Sequence, residues 1–537
     1  MRMIAVMVVA GLAFAVPASG HTARSADEIS ATGPSALHAG EIHFANSGSR
    51  AAQKPFLEGL ALLHDFEYER AAVLFQQAQA IDPGFAMAYW GEAMTHNHAV
   101  WMEQDLPAAR AALAKLGPTP QARSAKAPTQ REKDYLGAIE VLYGDGTKEE
   151  RDFRYADAMA AMHAKYPSDV DATAFYALSL LGTAHEGRDF AIYMKSAALL
   201  EDVYPTHMRH PGVLHYMIHS YDDPIHAPLG LRAARRYGVL APDAPHALHM
   251  TSHIFLALGM WDEVIEANKK AIAAGNALRM RAGKPPKHCG HYFTWLIYAE
   301  LQERRDADAQ TALAECRLDA AASLGAPTPY DPDSSALGSY VYMRLSQIVE
   351  TGHAEKTPRL VWPASADPSA DFFAAYGDAV TALRADDTAG LQKASTVLSA
   401  RRPAMLALLV TQGNTSKADR QNVDIIVDEM AAAAKIRAGD SDGGLAALHK
   451  VAEDESQISM EFGPPIVALP GWELLGEELL RAQKPAEAAK AFRNALARAP
   501  GRTQSLKCLL KSEELLGNAS GTAAVKIELQ KYRRDPG

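Results

Sequence analysis

The tightest constraint on this chain is a spaced pattern that only a pair of packed helices satisfies. From about Leu469, the residues Trp472, Leu475, Gly476 and Leu479 fall on one helix face, and Ala488, Phe492, Ala495 and Pro500 continue on a second. Small residues at a crossing let two backbones approach, large ones fill the space left, and proline stops the second helix. The same offsets recur at Gly59, Tyr68, Ala71, Phe75, Ala78 and Pro83, after which Tyr89-Trp90-Gly91 opens another helix. A weaker copy carries Phe255, Trp261 and Ala271. Helical patterning also covers 169–182, 190–203, 291–324, 371–400 and 421–449, with little alternation of the strand kind.

The pattern resembles the tetratricopeptide repeat, whose period is about 34 residues; Pro485 is the main departure. The resemblance implies an all-α fold: a right-handed solenoid of helical hairpins whose first helices line a concave binding face. Stretches 117–130, 325–340 and 354–370, rich in Pro, Ser, Thr and Asp, are expected to be loops or insertions. The expected organisation is a signal peptide at 1–20, a disordered leader at 21–50 and a repeat array with a His-rich site at 51–325. A loop or linker at 326–370 follows, then a helical region at 371–537 that ends in the repeat 469–502.

The signal reading rests on Arg2, the apolar run Met3–Val16 and the small residues Ala18-Ser19-Gly20. That run is too short for a span of about 20 residues, and no later stretch is long and apolar enough, so a periplasmic or secreted chain without an integral membrane segment is expected. The net charge of −10 argues against a nucleic-acid partner. Cys289, Cys316 and Cys508 make no disulfide framework. Inert thiols are the expectation, although Cys289 and Cys316 are near enough in sequence to pair.

The histidines carry the chemical signal. Eight lie between His207 and His253, and His215/His219 and His249/His253 are i,i+4 pairs that place two rings on one helix face. That spacing lets one helix offer two nitrogens to one metal. His215 and His249 are 34 residues apart, as are His219 and His253, and His185 and His219. In the repeat these positions face the groove, so His185, His215, His219, His249 and His253 are candidate ligands, with His96 or Glu92 completing the shell. His210, Tyr216, Asp222, His246, Glu473 and Glu477 are candidate ligand-binding residues. Glu473 and Glu477 would reach the array only if the superhelix closes on itself. His288 and His291 open a later helix beside Cys289, a weaker signal. An N-terminal His21 after cleavage would also chelate copper.

All-nitrogen ligation suits copper, zinc, iron or nickel and disfavours calcium and magnesium. A metal site that keeps an open position beside an acidic base would suit an oxidative or hydrolytic metalloenzyme. Against metal stand two alternatives: a scaffold whose groove binds a peptide or an envelope protein, and a pH sensor, since clustered imidazoles repel when charged. Structural histidines copied by repeat duplication are a further reading. No catalytic residue is assigned: Walker, Gly-x-Ser-x-Gly, His-Glu-x-x-His and Cys-x-x-Cys-His motifs are all missing.

The segment His210-Pro211-Gly212-Val213-Leu214-His215-Tyr216-Met217-Ile218-His219, with Pro245-His246-Ala247-Leu248-His249-Met250-Thr251-Ser252-His253, resembles a family of exported bacterial tetratricopeptide proteins. Ala88–Met94 and Phe462-Gly463-Pro464-Pro465 extend the likeness. It implies the solenoid and no particular reaction.

Overall fold

The computed structural model describes residues 37–324, 335–357, 359–363, 367–411, 416–460 and 462–532. The expected signal peptide at 1–20 lies outside the described residues. Among those described there are 24 helices, antiparallel neighbour on neighbour, and one short antiparallel hairpin pairing Asn97–His98 with Glu103–Gln104. The fold is an all-α helical repeat. No helix among the described residues is long and apolar enough to cross a membrane.

The repeat is built as its small residues require. Phe75, fully buried, fills the space beneath Gly59 and Gly91, where a Cβ would come within 3.2 Å and 2.4 Å of its ring. Phe492 does the same beneath Gly476. The helix-to-helix turn is also repeated. After helices ending at His64, Ala257, Gln302, Arg384, Arg437, Arg481 and Leu515, the second residue onward is left-handed and the fourth begins the next helix. Gly259, Gly439 and Gly517 take that position in three turns, while Phe66, Arg304, Asp386 and Gln483 take it in the others. An L side chain there costs on the order of 1 kcal/mol, so the geometry of the hairpin overrides local preference.

Three hairpins replace this turn with longer links. Residues 95–105 join Ala86–Met94 to Leu106–Leu116, residues 182–189 join Val170–Leu181 to Phe190–Val203, and residues 222–226 join Pro211–Tyr221 to Ala227–Leu240. These links carry Trp101, His185, Arg188 and Asp222 to one side of the array, where they meet the cavity described below, and Asp223 pairs with Arg188 there.

Two hydrophobic cores share the helix His291–Gln302. Leu296, Tyr298 and Ala299 belong to the N-terminal core, and Phe293, Ile297 and Leu301 to the C-terminal one. The division therefore runs through this helix rather than through the linker expected at 326–370, which contains the helix Ala336–Thr351. The expected disordered leader at 21–50 is corrected from residue 37 onward. Phe44 stacks on Trp90, Arg131 lies 4.1 Å over Phe44, and the Ser47 backbone N–H donates to Glu132 at 2.8 Å. An aromatic with waiting partners orders a segment whose composition alone looks mobile.

The array folds back on itself. Arg502, with none of its side chain exposed, donates to both carboxylate oxygens of Glu473 at 2.8 and 2.9 Å and lies 2.8 Å from Glu350. It also donates to the Tyr298 hydroxyl. Trp261 Nε1 donates to the Gly501 carbonyl, and the Thr503 backbone N–H donates to Gln302. Arg188 donates to the Met460 carbonyl, so the segment leading into the last repeat is drawn across the histidine-rich helices. Cys289 and Cys316 form a disulfide, correcting the expectation of inert thiols. The link crosses from the start of one helix into its hairpin partner Asp306–Ala322.

Candidate metal centre

Helix Pro211–Tyr221 is buried all round, and helix Pro245–Ala257 nearly so. His215 and His219 are the fifth and ninth residues of the first, and His249 and His253 the fifth and ninth of the second. The common start of the two helices is what puts the 34-residue spacing into spatial register. His246 stands one turn before His249, and His291 opens the next first helix.

These six rings form one continuous cluster. Ring centroids run 4.8 Å from His215 to His219, 5.6 Å to His253, 5.1 Å to His249, 6.2 Å to His246 and 5.2 Å back to His215. His291 joins at 4.6 Å from His249. One nitrogen from each of His249, His253 and His291 lies within 4.8 Å of the others, and the same holds for His215, His219 and His246.

Hydrogen bonds fix which nitrogens are free in the first group. Asn268 donates its amide to the Val264 carbonyl at 2.9 Å, so its Oδ1 faces His249 and accepts from Nδ1 at 2.8 Å. His253 Nδ1 donates to Asp222 at 3.0 Å. In the neutral rings both Nε2 atoms then carry lone pairs. Yet His253 Nε2 lies 3.2 Å from His249 Nε2, which lies 3.0 Å from His291 Nε2. The His253–His249 contact sets lone pair against lone pair unless a cation sits between them. Nitrogens bound tetrahedrally at about 2.0–2.1 Å are about 3.3 Å apart, close to the separations here.

Protonation does not supply that cation near neutral pH. Burial pushes His253 down to about 4, against the pull of Asp222. Burial, reinforced by neighbouring imidazoles, holds His215, His246 and His249 well below the ordinary histidine range. Burial would also raise the Asp222 carboxyl, but the Arg188 guanidinium and the rings of His219 and His253 outweigh it and keep it ionised. Carboxylate to imidazole to metal is the usual support for a ligand histidine, because it fixes the ring and makes Nε2 a better donor.

A neighbouring histidine group shows the contrast. His64 Nδ1 accepts from the Tyr216 hydroxyl at 2.9 Å and its Nε2 donates to Asp171 at 3.0 Å. His210 Nε2 donates to the same carboxylate oxygen at 3.2 Å, and its Nδ1 accepts from the Val213 N–H, capping helix Pro211–Tyr221. Every imidazole nitrogen there has a protein partner, which is what a structural cluster looks like. His210 and Tyr216 are thereby placed in the core beside the ligand cluster rather than in a groove.

Other expected site residues lie elsewhere. His185 falls past the end of helix Val170–Leu181, 3.1 Å from Asp152, because its hairpin carries the long link; the 34-residue register does not extend to it. Glu92 accepts from Gln76, Gln79 and Lys115 at 2.6–2.8 Å, and His96 lies outside every converging group. Glu473 is held by Arg502 and Ser505, and Glu477 by Arg384 and Gln504. The superhelix closes, as their recruitment required, but arginines claim both carboxylates. Conversely, His291 proves central. Its offset from His249 is longer than one repeat because helix Trp261–Arg281 runs for 21 residues. Asn268 carried no sequence signal.

The cluster opens on a cavity of about 900 Å³, with His246, His253, His291 and Arg188 on its wall. Trp295 stacks on His253 at 4.6 Å, and Phe462 lies 4.8 Å from the same ring. Residues 458–460 and 462–467 also line this cavity. Glu455, on the wall too, is pushed up to about 7, chiefly by burial.

No family model matches the sequence, and no curated protein matches it. Among solved structures the chain is similar to the Cut9-Hcn1 hetero-tetramer structure, with 12% identity over 90% of this chain and 79% of that one, at a TM-score of 0.35. It is also similar to yeast Tom70, with 11% identity over 89% and 92% and a TM-score of 0.29. For the P58(IPK) TPR domain the identity is 11% over 87% and 99%, with a TM-score of 0.22. Superpositions this loose carry no functional argument.

Proposed function

We propose that this chain is an exported tetratricopeptide-type protein that holds a transition-metal ion at His249, His253 and His291, facing a cavity that receives a small ligand. The observation that carries the reading is the Nε2 contact at 3.2 Å between two rings whose Nδ1 atoms are both committed as donors. Three imidazole nitrogens favour copper, zinc, iron or nickel. Three protein ligands beside a cavity leave a coordination position for water or a substrate, the arrangement of a catalytic rather than a structural site. Export is supported by the N-terminal sequence pattern and by the Cys289–Cys316 disulfide, which suits an oxidising compartment.

The test is elemental analysis of protein purified without chelator. Wild type is expected to carry at least about one ion per chain. His253→Asn is expected to lower that content by about one ion per chain, while His163→Asn, whose ring pairs with Thr173 and Tyr176, leaves it unchanged. Equal metal in both variants, or under about 0.1 ion per chain in wild type, would remove the reading.

A second reading, a non-enzymatic scaffold for a peptide or an envelope protein, is supported by the repeat fold and by the size and aromatic wall of the cavity. Under it, histidine variants would change partner capture in a pull-down and leave metal content as it was.

A further inference from the structure

We propose that the same cluster holds a second ion, at His215, His219 and His246, so that the six histidines make a two-metal centre. This rests on the reading above and deepens it. The observation is separate from the Nε2 contact. The Nε2 atoms of His215, His219 and His246 are buried without a hydrogen-bond partner. Buried polar atoms are nearly always partnered, and three such atoms on three adjoining rings point to a shared ligand. His215 Nδ1 donates to the His64 carbonyl at 2.6 Å, which leaves Nε2 as a bare lone pair. Phe66 packs 4.3 Å from the His215 ring and Tyr237 5.4 Å, holding it in place.

The two triplets are built on shared elements. Helix Pro245–Ala257 gives His246 to one and His249 and His253 to the other, a turn apart. His219 and His253 stand 5.6 Å apart across the boundary, with Asp222 Oδ2 lying 3.4 Å from His219 Nδ1 and 3.0 Å from His253 Nδ1. One ionised carboxylate thus touches both triplets. Paired ions are typically about 3.5–4 Å apart and hold the oxygens of one substrate between them. Neutral imidazoles without thiolates select the same borderline metals at both positions.

The test is native mass spectrometry of the full-length secreted chain, stripped with chelator and then dialysed against zinc. About two ions per chain are expected in wild type. The pair His215→Asn with His246→Asn is expected to keep about one, and so is the pair His249→Asn with His291→Asn. Circular dichroism confirms that each variant is folded, and the wild-type count needs no variant. A single ion in wild type overturns the second site, with ordered water then partnering the orphaned nitrogens. So do two ions that survive the His215/His246 change. No ion at all overturns the metal reading itself.

Discussion

Replacing Arg502 by methionine is expected to destabilise the protein by about 3–5 kcal/mol, the cost of removing one partner from a buried ion pair. The guanidinium is wholly enclosed and is the common partner of Glu473 and Glu350, which come from two other helices. Methionine matches the length of the stem but leaves two buried carboxylates without their cation. The effect is large because the pair is enclosed; an exposed ion pair is worth only about 0–1 kcal/mol. Urea unfolding followed by circular dichroism checks it, with a midpoint lower by roughly 1–2 M for slopes of this order. Adding Glu473→Gln and Glu350→Gln should recover much of the loss, since well-paired neutral groups replace stranded charges. A shift of less than about 0.5 kcal/mol for Arg502→Met would mean that the fold-back of the last repeats contributes little to stability.

Zinc is expected to stabilise the chelator-stripped protein strongly. An ion at a thousandfold excess over its dissociation constant adds about 4 kcal/mol. The same addition should give a distinctly smaller gain in the His249→Asn/His253→Asn double variant, which keeps only the second triplet. The comparison is within each protein, with and without zinc, so any cost of the substitutions themselves cancels. Thermal unfolding is the readout. The gain follows from geometry already in place: Asn268 and Asp222 orient the two rings before an ion arrives, so little ordering is left to do on binding. Equal shifts in both proteins would place zinc elsewhere, for example at exposed carboxylates.

The fold was legible in the sequence because the repeat is written in residues whose size matters. Gly91 and Gly476 have a phenylalanine ring within 2.6 Å of where a Cβ would sit, and Gly59 has one at 3.2 Å. The pairing of His215/His219 with His249/His253 was legible for the same reason, since two adjacent helices of equal phase begin at Pro211 and Pro245. Where hairpins change length, the ruler fails. His185 shares the 34-residue spacing but falls in a link, and His291 breaks the spacing but joins the cluster. Sequence periodicity records phase along one helix; it does not record the length of the partner that returns the chain. The wall of the cavity was illegible for another reason: Phe462 meets the cluster through a closure between distant parts of the chain, where Arg188 donates to the Met460 carbonyl. Glu473 shows the converse, a residue at the right repeat position whose charge Arg502 claims.

The most direct measurement of the central claim is X-ray absorption at the zinc edge of the loaded protein. A first shell of nitrogen at about 2.0–2.1 Å with the outer-shell scattering of imidazole rings is expected. A shell at about 2.3 Å from sulfur, or a zinc edge height per chain left unaltered by the His249→Asn/His253→Asn change, would contradict it.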